Sequence, residues 1–294
     1  MRTIDPKAIP TAELHQILVS TVAPRPIAFA STISESGDSN IAPYSFFNVF
    51  SSNPPTMVFS SNRRVSDGTT KDTLSNVEHN MEVVINVVPH SLIRQMTVAS
   101  IQYPIGVSEF DKSGLTPIPS DIVKPFRIKE SPVQFECKAS KIIPLGEEGG
   151  AGHLIICEVV KIHLNEDILD EEGRINPHKI DLMGRLGRAF YVRASGEAIY
   201  KFYQPVMRIG IGYDQLPKSI RLSKVFTGNN LGQLASLPHP PSKESIEHIK
   251  SQKEIEEILS RQQPIAALHQ YAQKELAKEN LELAAQIAWL GEYL

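Results

Sequence analysis

The sequence predicts a mainly β body followed by a helical extension, and three observations carry that prediction. Residues 82–89 hold Val83, Val84, Ile85, Val87 and Val88 in a near-continuous β-branched run, as in a strand buried on both faces. Over residues 133–140, Val133, Phe135, Cys137 and Ala139 alternate with Gln134, Glu136, Lys138 and Ser140, the period of a half-exposed antiparallel strand. Beyond residue 243 the apolar spacing lengthens to that of a helix.

The elements follow in order. Leu14, Ile17 and Leu18 share one helical face within residues 11–20, with Thr11 as N-cap, giving a short helix over one end of the β body. Pro24-Arg25-Pro26 ends it, because each proline pushes its predecessor out of the α region. Residues 27–33 alternate Ile27, Phe29, Ser31 and Ile33 with the small residues Ala28, Ala30 and Thr32, a strand. Residues 36–40 carry turn chemistry, and residues 40–53 read as a loop rich in small polar residues. Met57-Val58-Phe59 reads as a second buried strand, and a helix opens at residues 69–74 with Leu74, Val77 and Met81 on its apolar face.

Residues 91–103 are helical and end at Pro104. Residues 106–130 hold Pro117, Pro119 and Pro125 and read as a long binding loop or lid. The glycine-rich stretch 146–152 reverses the chain into a strand over 153–164, bringing Cys137 and Cys157 opposite one another as reduced apolar fillers. Residues 167–178 form a polar loop before Met183-Gly184-Arg185-Leu186-Gly187-Arg188, where glycines admit close backbone approach and arginines add charge. The division is residues 1–203 as the β domain, 204–242 as a proline-containing connector, and 243–294 as a hairpin of two helices over 244–261 and 264–290.

Composition excludes several functions. A net charge of −3 leaves no electrostatic footprint for nucleic acid or an anionic membrane. No apolar run approaches the roughly 18–20 residues of a bilayer span, and residues 1–10 lack a signal-peptide core, so a cytoplasmic protein is expected. The two cysteines form no C-x-x-C pair and the nine histidines no metal-binding spacing, so no metal is expected.

The chemistry gathers in residues 25–81. Ala42-Pro43-Tyr44-Ser45-Phe46-Phe47-Asn48 offers amides, a hydroxyl, a carboxamide and aromatic surface to a flat heterocycle. Such aromatics are more often core, but Ser45 and Asn48 would then be polar atoms without purpose. Thr69 and Asp72 match a capping box, which alone would account for the helix start. Arg63, Arg64 and Lys71 around that start instead make an anion site, and capping does not require Lys71. Arg25 reads equally as a surface arginine fixed by its prolines or as a contact to the ligand. A flat heterocycle with a phosphate tail is met by FMN.

At Pro24-Arg25-Pro26-Ile27-Ala28, residues 42–48, Pro54-Pro55 and Lys71-Asp72-Thr73-Leu74, the chain resembles the flavin reductase-like family of FMN-binding split barrels. Residues 152–159 and Gly184-Arg185-Leu186-Gly187 with Tyr191 are similar to its later segments, so the resemblance spans about residues 5–203. It implies a six-stranded antiparallel Greek-key split barrel that forms a homodimer. Ser45, Phe46, Phe47 and Asn48 would meet the ring and ribityl chain, Ser60 and Ser61 would line the site, Arg64, Lys71 and Thr73 would hold the phosphate, and Asp72 would stand among the cofactor-site residues. Arg25 or Arg185 would face the ring edge where negative charge develops. NADH or NADPH would be the electron donor, and a monooxygenase or another acceptor would take the electrons. Ala151-Gly152-His153 stands where several NADH-using members carry Gly-Asp-His, so His153 reads either as a nicotinamide contact or as a strand-end histidine. No side chain is assigned as a general acid or base, since the cofactor carries the reaction. The rival activities are a flavoredoxin-like carrier and an oxidase of the pyridoxamine phosphate type.

Overall fold

A computed structural model describes residues 1–104, 106–201 and 209–294. The chain forms two compact units, Met1–Tyr200 and Lys201–Leu294. The domain boundary expected at 203/204, and Pro205 with it, lie outside the described residues.

The first unit opens with helix α1 (Thr11–Thr21), whose N-cap is Pro10 rather than Thr11. Strands β1 (Ala28–Ile33), β2 (Ser39–Tyr44), β3 (Phe47–Ser52) and β4 (Pro55–Asn62) follow, then helix α2 (Asp72–Asn80) and strand β5 (Glu82–Asn86). Helices α3 (Ile93–Ala99) and α4 (Glu109–Ser113) and the small strands β6 (Pro117–Ile118) and β7 (Arg127–Ile128) come next. Strands β8 (Val133–Pro144) and β9 (Gly152–Leu164), helix α5 (Pro177–Ile180), and strands β10 (Met183–Arg185) and β11 (Tyr191–Arg193) complete the unit.

Among the described residues the main sheet has seven strands, in the order β2-β1-β5-β8-β9-β4-β3, each paired antiparallel with its neighbours. The six-stranded expectation is therefore corrected, and residues 40–53, read as a loop, supply two of the strands. Pro43 and the run of Ser and Asn obscure the alternation there, but the backbone pairs through Ala30↔Ala42 and Asn48↔Val58.

Alternation sets which side of the sheet each residue serves. Ala28 and Ala30 of β1 face a core with Phe59, Val83, Ile85, Ile155 and both cysteines. Phe29, with Ile27 before it, packs on the opposite side with Leu92, Met96 and Phe110. The small face of β1 is what admits the larger inward residues of the other strands. Cys137 pairs with Val159 and Cys157 with Ala139, so the cysteines sit two pairs off direct opposition, because the hairpin closes with Pro144 opposite His153. Both are free and buried, and burial raises their thiol pKa values.

Helix α2 begins at Asp72, not at Thr69, and its N-cap Lys71 makes no side-chain capping bond. The capping box is absent because Thr69 bonds instead to Asp67, through both its amide (2.9 Å) and its hydroxyl (2.6 Å). Beneath the 106–130 segment, the buried carboxylate of Glu136 on β8 accepts from the amides of Asp121, Ile122 and Val123 and from His163 Nε2, at 2.6–3.1 Å. That side chain fixes residues 121–123, while the rest of the segment expected as a loop is held by α4 and the paired strands β6 and β7.

The second unit contains α6 (Lys218–Arg221), α7 (Gly228–Ala235), α8 (Lys243–Lys250), α9 (Lys253–Leu259), α10 (Pro264–Ala277) and α11 (Leu281–Leu290). The expected two-helix hairpin is thus four helices, and the expected connector supplies two more. Helix α8 stops at Ser251, and Glu279 adopts a left-handed φ of 63° between α10 and α11. Apolar periodicity runs through such breaks unchanged, so it cannot reveal them. Ile246, Ile255, Leu268, Ile287 and Leu290 give this unit its own core.

Candidate functional site

A cleft of about 280 Å³ opens beside the β2–β3 corner. Its floor is Pro43, Tyr44, Ser45 and Phe46, joined by Ser60 and Asn62 of β4. One wall is α1, through His15, Gln16 and Val19, and another is the β10–β11 turn, through Arg185, Leu186 and Arg188. Lys71 lies at the junction with a smaller recess of about 170 Å³, which Arg64, Asn40, Asp72 and Glu109 also line.

Strand alternation sorts the sequence candidates. Phe46 and Ser60 reach the cleft, and Ser60 N–H donates to the Phe46 carbonyl at 2.8 Å. Phe47 and Ser61, one residue on, belong to the barrel side: Phe47 packs against the core and Ser61 is fully buried. Asn48 is exposed on β3, and its Oδ1 accepts from the Val49 amide at 2.8 Å. His153 pairs with Ser61 across β4 and β9, so it shares the inward parity of Ile155 and Cys157. It is buried, with Nδ1 at 3.2 Å from the Ser61 carbonyl, and it lines neither cavity.

Ser60 Oγ bonds Asn62 Oδ1 at 2.7 Å, and Asn62 Nδ2 donates to the Gly150 carbonyl at 3.2 Å. This chain needs glycine at 152, since a Cβ there would stand 2.5 Å from Ser60 Oγ. Asn62 is one of the cleft residues that motif reasoning missed.

Arg25 is 7% exposed, which removes the surface-arginine reading. Its Nη1 donates to the carbonyls of Val19 and Val22 at the end of α1, its Nη2 to Leu186 O at 3.1 Å, and its Nε to Ser45 Oγ at 3.4 Å. The guanidinium therefore joins both walls and the floor. Burial, then the charge of Arg185, lowers its pKa. Arg185 lies 4.4 Å over the Tyr191 ring and donates through Nη2 to the Arg188 carbonyl at 2.6 Å.

Lys71 is half-buried and lies 4.8 Å over the Tyr44 ring. Burial, and then neighbouring Arg64, lowers its pKa. Among the described residues Lys71 has no ion-pair partner, while Arg64 donates to Thr69 Oγ1 (2.6 Å) and Thr70 O (2.8 Å). The amides that open α2 receive no side-chain cap. Beneath them, burial pushes the Tyr44 phenol up to about 12 despite the nearby Thr73 and Ser61 hydroxyls. Tyr44 Oη and Ser61 Oγ are buried without a hydrogen bond of ordinary geometry. Thr73 is buried and bonds Asn40 Oδ1 at 3.4 Å, and Asp72 is exposed at the recess.

Four cations line the larger cleft, and among the described residues no carboxylate does. Fold and cleft together define an antiparallel barrel with a cationic, partly aromatic mouth. A family model described as the flavin reductase like domain matches residues 20–181, and the chain belongs to the flavin reductase-like family. A protein of Aquifex aeolicus (strain VF5) is 42% identical over 188 residues, covering 64% of this chain and 93% of its own. Nitrilotriacetate monooxygenase component B from Bacillus cereus is 29% identical with a TM-score of 0.63, covering 69% of this chain and 98% of its own. A flavin reductase with a split barrel domain from Shewanella frigidimarina NCIMB 400, 22% identical with a TM-score of 0.57, covers 67% and 95% and shares the fold. The α1 residues on the cleft wall precede the matched segment, and Arg185, Leu186 and Arg188 follow it.

Proposed function

We propose that this protein binds FMN in the cleft and catalyses its reduction by NADH or NADPH. The observation that carries this reading is Lys71, a half-buried cation without an ion-pair partner among the described residues, at an uncapped helix start beside an aromatic floor. Lys71, Arg64 and the first α2 amides would hold the phosphate. Pro43, Tyr44, Ser45 and Phe46 would carry the ring, which supports FMN over a ligand without a flat body.

When bound, FMN supplies the hydride-accepting ring, so the protein needs no general acid or base of its own. Ser45 Oγ accepts from Arg25, which leaves its hydroxyl proton available to a ligand oxygen. His15, Gln16 and Val19 restrict water at one wall, and Phe46 is steadied by the edge of His15 at 6.1 Å. Arg25, buried, and Lys71, half-buried, would favour negative charge developing within the cleft.

The exposed Val49 and Phe50 on edge strand β3 support a homodimer. Similarity to a monooxygenase component supports a monooxygenase or another electron acceptor as partner. Among the described residues no helix is long and apolar enough to cross a membrane, in keeping with a cytoplasmic location.

One observation favours a second reading, an FMN electron carrier without productive NAD(P)H binding: His153, a candidate nicotinamide contact, is turned into the barrel. Mixing FMN-loaded protein anaerobically with NADH and with NADPH separates the two. Rapid loss of flavin absorbance is expected for the reductase. Reduction only by a protein donor would establish the carrier instead.

A further inference from the structure

The cleft holds more positive charge than one phosphate accounts for. Lys71 and Arg64 stand at the recess end. Arg185 and Arg188 line the wall formed by the β10–β11 turn, and no carboxylate among the described residues lines the cleft with them. FMN carries a single phosphate, so an FMN anchored at Lys71 leaves the arginine wall without an anion.

That wall is pre-set. Arg25 and Arg185 exchange both backbone hydrogen bonds, at 2.9 and 2.8 Å, and the Arg25 guanidinium also donates to Leu186 O. The turn closes through Leu186 N to Phe190 O (3.0 Å) and Phe190 N to Gly187 O (3.2 Å). Gly187 packs so tightly on α1 that a Cβ would stand 2.9 Å from Ser20 Cα. Arg188 then takes a left-handed φ of 56°, unusual for a residue with a side chain, and Arg185 secures its carbonyl. Arg185 is itself engaged on Tyr191. The Arg188 guanidinium is exposed and, among the described residues, has neither hydrogen bond nor ion pair.

We infer that Arg188 is the anchor for the pyrophosphate of the dinucleotide electron donor, presented on a turn that Arg25, Arg185 and Gly187 hold rigid. A guanidinium suits this task because its planar fork can meet two phosphate oxygens at once. A rigid turn loses little freedom when the ligand arrives. The inference deepens the reductase reading and rests on it.

The test uses ADP, which carries the donor's pyrophosphate without its nicotinamide, titrated calorimetrically into FMN-loaded protein. ADP is expected to bind the wild type, to bind Arg188→Gln about five- to tenfold more weakly, and to bind Arg188→Lys with intermediate affinity. FMN affinity should be the same in all three. Equal ADP affinity in wild type and Arg188→Gln, or no ADP binding by the wild type, overturns the assignment. A parallel fall in FMN affinity also overturns it, because the turn would then belong to the flavin site. Failure of wild-type protein to bind FMN would instead remove the reductase reading and the donor site together, so the two failures are distinct.

Discussion

Arg25 and Lys71 line the same cleft, and their surroundings divide it into a framed region and a receptive one. Arg25 places its guanidinium donors on Val19, Val22, Leu186 and Ser45, all within the protein. Lys71 has an aromatic ring beneath it, another cation beside it and no carboxylate, among the described residues, to neutralise it. A cation already saturated by carbonyls builds the site. One kept partly desolvated and unpaired awaits an anion, because its charge is costly until one arrives.

This contrast can be broken by mutation. Arg25→Ala should cost about 3–5 kcal/mol of unfolding free energy, since it strands several buried acceptors at once; denaturant unfolding reads the loss. A change below about 1 kcal/mol would mean that Arg25 frames nothing. Gly187→Ala should cost roughly 1–3 kcal/mol, because the new methyl group meets the Ser20 backbone. Its unfolding midpoint should fall while that of Gly173→Ala, at a left-handed turn with open space around it, reports strain alone.

Glu136 extends the framed class to an acid. Burial alone would raise its pKa, but the loop amides and His163 hold it below the usual carboxylate range. A depressed folded pKa contributes stability that is fully present above the unfolded value and lost as pH falls through the folded one. Glu136→Gln should therefore lower stability at neutral pH and flatten the acid side of the stability profile. An unchanged acid slope would contradict this.

The smallest effect sharpens the receptive side. The Lys71 pKa is lowered by burial and by Arg64, so its charge is lost at lower pH than that of an exposed lysine. FMN affinity should fall several-fold on the alkaline side, below the ordinary lysine value of about 10.4. Lys71→Arg should remove that fall, because arginine keeps its charge.

Much of the fold was legible because strands announce themselves by alternation. The patterns at β5, β8 and β9 fix the strand type, but the β8 face expected to be half-exposed is covered where Gln134 and Glu136 are buried, Glu136 under the amides of residues 121–123. Strands β2 and β3 were hidden, since Asn40, Pro43, Ser45 and Asn48 look like turn chemistry until the backbone is seen to pair. The same period explains the mixed outcome at the site. Neighbours such as Phe46 and Phe47, or Ser60 and Ser61, were grouped by sequence adjacency, yet a strand sends them to opposite sides. His15, Gln16 and Arg188 join the cleft only through tertiary packing, so no local pattern marks them. The role of Arg25 required its acceptors to be visible, as three of them are main-chain carbonyls.

The most direct measurement is an equilibrium titration of FMN into wild-type protein and Lys71→Ala, with denaturant unfolding run on both. The account predicts that the wild type binds FMN and that Lys71→Ala binds it about ten- to a hundredfold more weakly while folding normally, the loss of one charge-assisted phosphate contact. Equal FMN affinity in the two folded proteins would contradict it.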